Sequence, residues 1–184
     1  EFPSAMGIGA TGKPENAERL ARAIAVEMKA IGLNVNFAPV LDVNNNAINP
    51  IIGTRSFSSD PNIVAKFGVA FLKGLQSEGI LAFGKHFPGH GDTGTDSHIA
   101  LPSVPHDRER LAAIEFVPFK AAMQNYVAGI MTAHVTFPAI DPTEKLAATL
   151  SPKILSGLLR DEMKYNGLLV TDSLEMGAIG ESGY

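Results

Sequence analysis

The feature that most restricts this chain is an alternation. Apolar, β-favouring runs over 35–42, 80–85, 127–133 and 167–171 are separated by stretches of helical period. The first helix is expected over 14–31, with Leu20, Ile24, Met28 and Ile31 on one face, Pro14 suited to the first helical position and Gly32 to the stop. A second, over 61–76, aligns Val64, Phe67, Phe71 and Leu75, and a third, over 107–124, aligns Leu111, Ile114 and Ala121 with Pro118 as a kink. A fourth, over 152–163, follows Ser151 as N-cap and turns Leu155, Leu158 and Leu159 inward. Strands alternating with helices predict an α/β fold of parallel βαβ units whose strands are covered on both faces.

The polar residues fall in a pattern too. Asp42, Lys85 with His86, His134 and Asp172 each stand at the C-terminal end of a predicted strand, the edge that carries function in α/β architectures. Spacings of 44 (42 to 86), 48 (86 to 134) and 38 (134 to 172) exceed the roughly 31 residues per unit of a 250-residue eight-unit barrel, so enlarged βα loops are expected. Four such units make about half a (β/α)8 TIM-type barrel.

Composition narrows the function. Fifteen Lys and Arg against 19 Asp and Glu, a net charge of -4, leave no basic excess to neutralise phosphates, which argues against a nucleic-acid partner. No run approaches the roughly 20 apolar residues of a membrane span. The absence of Cys removes thiol nucleophiles and Cys-bound zinc. The chain opens on Glu1-Phe2-Pro3 and closes on Gly183-Tyr184, neither of which reads as a natural terminus, so a processed chain or an excised fragment is expected.

The densest cluster of titratable groups is the loop after the second strand, Lys85-His86-Phe87-Pro88-Gly89-His90-Gly91 followed by Asp92 and by Asp96-Ser97-His98. A solvated polar loop is the plain reading. Metal ligation by His86, His90, Asp96 and His98 is a weaker one, because a His-x3-His pair relies on a helix to place both rings on one face and a Pro-Gly segment cannot form it. The third reading is proton transfer, in which Asp96 orients the imidazole of His98 and favours its protonated form, making a general acid near neutral pH. Asp172, after the apolar run Leu168-Leu169-Val170-Thr171, is either a helix N-cap or a carboxylate nucleophile. A retaining glycosidase needs such a nucleophile beside an acid that later serves as base.

These segments, together with Thr171-Asp172-Ser173-Leu174-Glu175-Met176, resemble glycoside hydrolase family 3 and, within it, the β-N-acetylglucosaminidase branch. Supporting matches are Phe2-Pro3-Ser4-Ala5-Met6, Asn36-Phe37-Ala38-Pro39-Val40-Leu41-Asp42, Arg55-Ser56-Phe57 and Met131-Thr132-Ala133-His134, so the resemblance covers essentially the whole chain. Carried across, it implies Asp172 as nucleophile, His98 as acid/base with Asp96 as its partner, and Arg55, Lys85 and His86 as ligands of sugar hydroxyls, with His134 a further candidate for substrate contact. It implies terminal β-linked N-acetylglucosamine of muropeptides or chitooligosaccharides as substrate, no metal or organic cofactor, and a bacterial envelope or secreted location, with a cytoplasmic one as alternative. Because a His donor is neutral once it has given its proton, an anionic acceptor such as phosphate in place of water stays open as a side reading.

The same resemblance implies a partial TIM-type barrel, lacking the first strands and the last, with a sugar-gripping Asp in an acidic segment upstream of Glu1. From this follow two further readings: one catalytic domain over 1–184, or a catalytically silent barrel fragment that binds sugar weakly and needs a complementary segment. A lesser alternative is a dinucleotide-binding oxidoreductase built on Gly7-Ile8-Gly9-Ala10-Thr11-Gly12, which fits G-x-G-x-x-G but follows too short a stretch to hold the required strand. Asp42 is expected to be structural, and His106 and Asp107 to belong to the start of the next helix.

Overall fold

A computed structural model describes residues 2–181. Its centre is a four-stranded sheet, β1 (Val35–Asn36), β2 (Leu81–Phe87), β3 (Gly129–Thr132) and β4 (Leu168–Thr171), in the order β1-β2-β3-β4. Every pair is parallel, with Val35 opposite Leu81, Phe83 opposite Gly129, and Gly129 to Thr132 running beside Leu168 to Thr171. The expected α/β class with a parallel sheet is therefore observed. Each strand neighbours the next in sequence, so the sheet has no reversal of strand order.

The helices are α1 (Ala5–Gly9), α2 (Pro14–Ala30), α3 (Pro61–Ser77), α4 (Arg108–Ala113), α5 (Phe116–Gln124), a π-helix (Lys153–Glu162) and α6 (Gly177–Glu181). Helix α3 packs between α2 and α5 and against β2, and its buried Val64, Phe67, Phe71, Leu72 and Leu75 form much of the core. The Asp60 carboxylate caps it, accepting from Asn62 N at 2.7 Å, with Pro61 behind it as a first residue that lacks an N–H to satisfy. Phe87 at the end of β2 and Phe119 of α5, both fully buried, meet edge to face at 5.3 Å, worth about 1 kcal/mol beyond the area they bury.

Several local expectations are corrected. Helix α2 closes on the core through Ala17, Ala21 and Ala25, all fully buried, while Leu20, Ile24 and Met28 are only partly buried and Ile31 is 75% exposed. Small side chains allow the closer approach, and the bulky row packs beside it. The single helix over 107–124 is two, broken at Ile114 (φ -123, ψ -72), and Pro118 sits in the first turn of α5, where a missing N–H costs nothing. The first strand shrinks to two residues because Pro39 has no N–H to donate. Beyond it the chain only bridges, Phe83 N donating to Ala38 O at 2.9 Å and Lys85 N to Pro39 O at 3.1 Å. Ser151 caps as expected, its hydroxyl accepting from Ile154 N at 3.2 Å, but the turns that follow are wide, as in Met163 N to Leu158 O.

Coverage on both faces holds for β3, whose four residues are all buried, and for most of β2. It does not hold at the sheet's margins: Leu168 of the edge strand β4 is 53% exposed, Phe37 just beyond β1 50%, and Leu81, where β2 begins, 40%. The glycines at 7 and 9 lie in α1, whose N-cap Ser4 hydroxyl accepts from Gly7 N, and among the described residues no strand precedes them. The dinucleotide reading lacks the strand it requires.

Candidate active site

The polar ends of the strands meet in one cleft of about 230 Å³ lined by Arg55, Lys85, His86, His98 and Asp172, with His90 and Ser97 beneath. A larger groove of about 700 Å³ lies elsewhere, between Tyr126 and Asn166, and carries no His or Asp.

The inner wall of the cleft is built on Asp42, which is fully buried and holds two backbone N–H groups and a histidine ring nitrogen on its carboxylate. His86 N donates to both oxygens at 3.2 Å, His90 N to Oδ1 at 2.7 Å, and His86 Nδ1 lies 2.7 Å from Oδ2. Burial alone raises the Asp42 pKa, but the facing His86 ring and the His90 N–H overcome it and hold the group below the ordinary carboxylate range. On its far side the His86 ring presents Nε2 to Asp172 Oδ2 at 3.7 Å. Lys85 beside it is pushed down, first by burial and then by the Arg55 charge, against the pull of Asp172 and Asp42.

The loop that follows is wired internally. Thr93 Oγ1 donates to His90 O at 3.1 Å and therefore accepts from His90 Nδ1 at 2.8 Å, which leaves His90 Nε2 to accept from Ser97 Oγ at 2.9 Å. Burial lowers the His90 pKa, consistent with a neutral ring in that tautomer. Asn49 pins the same loop to the Arg55 segment: its Nδ2 donates to His90 O and Gly91 O, and its Oδ1 accepts from Ile51 N and Ile52 N. Gly91 passes so close to the preceding strand end that a Cβ there would stand 1.8 Å from Val43 O. At the outer side Asp92 bonds His106 Nε2 at 2.7 Å and Arg110, which in turn holds the buried Glu115 at 2.7 Å. His106 is thus part of this loop's anchor as well as a neighbour of α4, where Asp107 is the N-cap.

His98 and Asp172 arrive from separate loops that are joined backbone to backbone. Gly177 N donates to His98 O at 3.1 Å and Ala178 N to Ser97 O at 3.2 Å. The approach requires glycine, since a Cβ on Gly177 would lie 2.6 Å from Ile99 O and 2.8 Å from His98 O. Asp172 is not an N-cap: its Oδ1 accepts from Ser173 N at 2.8 Å, and α6 begins only at Gly177. At the loop tip His98 Nδ1 lies 2.7 Å from Asp96 Oδ1, with the His98 side chain 57% exposed. Burial opposes ionisation of Asp96, but the His98 backbone N–H and ring outweigh it and lower its pKa.

The structure therefore brings together Arg55, Lys85, His86, His98 and Asp172 in the cleft, with Asp96 held against His98. His134 stands apart from the cleft: its ring is buried, with Nδ1 at 2.8 Å from Thr149 Oγ1 and Nε2 at 2.9 Å from Ser173 O. Both nitrogens are engaged, and through Nε2 it holds the residue after Asp172. Sequence reading missed Asn49, whose only signal was its place in an Asn-Pro turn pair, and Ser97, hidden between two more conspicuous residues. Among the described residues no group of three or more His, Cys, Asp or Glu is arranged to hold a metal ion.

The family model "Glycosyl hydrolase family 3 N terminal domain" matches residues 1–184. Beta-hexosaminidase A of Pseudoalteromonas piscicida is 42% identical over 193 residues, covering 98% of this chain and 32% of its own length. A beta-hexosaminidase of Idiomarina loihiensis is 37% identical over 182 residues, covering 95% of this chain and 53% of its own. The solved glycoside hydrolase family 3 beta-N-acetylglucosaminidase from Paenibacillus sp. str. FPU-7 superposes with a TM-score of 0.93 at 52% identity, over 97% of this chain and 34% of that one. The chain thus spans between about a third and about half of these relatives, which are glycosidases by name. With the family model covering it from end to end, this chain belongs to glycoside hydrolase family 3 and corresponds to that family's N-terminal domain.

Proposed function

We propose that the chain is the catalytic region of a retaining β-N-acetylglucosaminidase that releases terminal β-linked N-acetylglucosamine from muropeptides or chitooligosaccharides. The observation that carries this reading is the convergence of His98 and Asp172 on one cleft from two loops joined by the Gly177 and Ala178 hydrogen bonds. In the first step the Asp172 carboxylate attacks the anomeric carbon while His98 protonates the departing glycosidic oxygen, giving a glycosyl ester and a free alcohol. With Nδ1 occupied by Asp96, the proton comes from Nε2. In the second step the neutral imidazole takes a proton from water, whose oxygen attacks the anomeric carbon and frees the Asp172 carboxylate. Arg55 and Lys85 supply cationic donors to sugar hydroxyls, and His86 a ring nitrogen on the Asp172 side.

Four parallel strands in sequential order, with α2, α3 and α5 packed side by side, suit four consecutive units of a TIM-type barrel. The exposed Leu168 on the edge strand β4 and Phe37 just beyond the edge strand β1 favour a second reading for the isolated 184 residues, a partial barrel that awaits a complementary segment. Replacing Asp172 by Ala in the intact enzyme tests the assignment: turnover of an aryl β-N-acetylglucosaminide is expected to disappear. Activity near the parent rate would overturn it. Comparing the isolated chain with the intact enzyme, by mass and by activity, separates the two readings.

A further inference from the structure

Asp42 lies behind the residues that face the substrate, and its partners give it more to do than fill space. Two of its three hydrogen-bonding neighbours are backbone amides that cannot lose their protons, and the third is His86 Nδ1. A fully buried carboxylate stays charged where such donors surround it, and a charged carboxylate can only accept. The 2.7 Å contact with His86 therefore needs its proton on Nδ1, which commits the other nitrogen, Nε2, to the side where Asp172 lies 3.7 Å away. The same carboxylate takes the N–H of His90, the residue at which the loop leading to His98 begins.

We infer that Asp42 is a positioning residue that keeps the proton of His86 on Nδ1, so that Nε2 faces Asp172 and the sugar, while its second oxygen fixes the start of the loop that carries His98. Its catalytic consequence rests on the function proposed above; the proton assignment does not. Asp42 touches neither substrate nor reacting atoms and acts through His86. Its backbone carbonyl, held by Ser56 Oγ at 2.6 Å, and its side chain are both fixed, so the carboxylate cannot swing away to a different partner. Carboxylates that orient an imidazole in this manner at metal centres lower activity or affinity about 10- to 100-fold when removed, and a loss of that size is expected here.

The test is nitrogen NMR of the histidine rings in the intact enzyme labelled with 15N-histidine, with His86 assigned by its loss in His86→Asn. The expected result is a protonated Nδ1 in the parent. In Asp42→Asn the amide can turn its NH2 toward the ring, and the proton is expected to move to Nε2 with kcat/KM falling about 10- to 100-fold. A purely structural role for Asp42 would lower activity through unfolding and leave the tautomer of the folded fraction unchanged. An unprotonated Nδ1 in the parent overturns the inference whether or not Asp42→Asn folds, and so does an Asp42→Asn enzyme with the parent's His86 shifts. Loss of the Asp172 assignment would remove the catalytic consequence and leave the NMR result standing, so the two failures are distinguishable.

Discussion

Two Asp–His pairs in this molecule share one geometry. In each, an aspartate oxygen stands 2.7 Å from the histidine Nδ1. Their surroundings are opposite: the Asp42 and His86 side chains are 0% and 5% exposed, those of Asp96 and His98 23% and 57%. The buried pair sits on strand ends and is wired to the backbone of two segments; the exposed pair sits on a loop tip and bonds mainly to itself. A contact distance therefore says little about role. Burial suits a ring that must not move or exchange its proton, and exposure suits a ring that must load a proton from solvent and deliver it.

The largest effect that bears on this contrast is on stability. Asp42→Ala takes the acceptor from two backbone N–H groups and the partner from the buried His86 ring, and should cost about 3–5 kcal/mol, measured as a fall in the denaturant midpoint. A loss below about 1 kcal/mol would mean that burial does not separate the two pairs.

A buried carboxylate without a histidine provides the next comparison. Burial pushes Asp141 up, but hydrogen bonds from Ser151, Thr143 and Lys153 more than reverse this and bring its pKa down to about 2. A pKa depressed in the folded state stabilises above the unfolded value near 3.9 and loses that contribution as pH falls through the folded value. By linkage this amounts to roughly 2–3 kcal/mol at neutral pH, lost progressively between about pH 5 and pH 1. Acid titration of stability in Asp141→Asn should show that part of the slope gone.

The joint between the loops ranks third. Gly177→Ala places a methyl against the carbonyls of His98 and Ile99, and overpacking of this kind costs about 1–3 kcal/mol unless the loop shifts. If it shifts, kcat falls while the thermal midpoint barely moves, because His98 is displaced from Asp172. A variant with both the parent kcat and the parent midpoint would show that the backbone contact does not set their separation.

Much of this was open to reading in the sequence, and the reasons differ by level. The βα alternation shows in the chain because apolar period follows directly from which face is buried, and the polar residues at strand ends follow from chain direction. Helix α2 misled because periodicity ranks side chains by hydrophobicity, whereas close packing selected Ala17, Ala21 and Ala25. Residues 85–98 stand out by composition alone. Asn49, Ser97 and Gly177 do not, since each acts through contacts with backbone remote in sequence that no local pattern encodes. Position at a strand end gives the edge of the sheet but not the rotamer, and the ring of His134 turns toward Thr149 and Ser173.

The smallest effect is the sharpest on the comparison. Asp96 keeps its hydrogen bonds to His98 in water, where each is exchanged against solvent, and exposed ion pairs contribute a median of roughly 0–1 kcal/mol. Asp96→Asn should therefore leave the denaturation midpoint within about 1 kcal/mol of the parent. Its activity should respond differently: an amide cannot stabilise the imidazolium as a carboxylate does, so kcat should fall although stability is unchanged. An unchanged kcat would leave Asp96 as a loop brace like Thr93, whereas a lower kcat at constant stability would separate a pair that transfers protons from one that holds a ring in place.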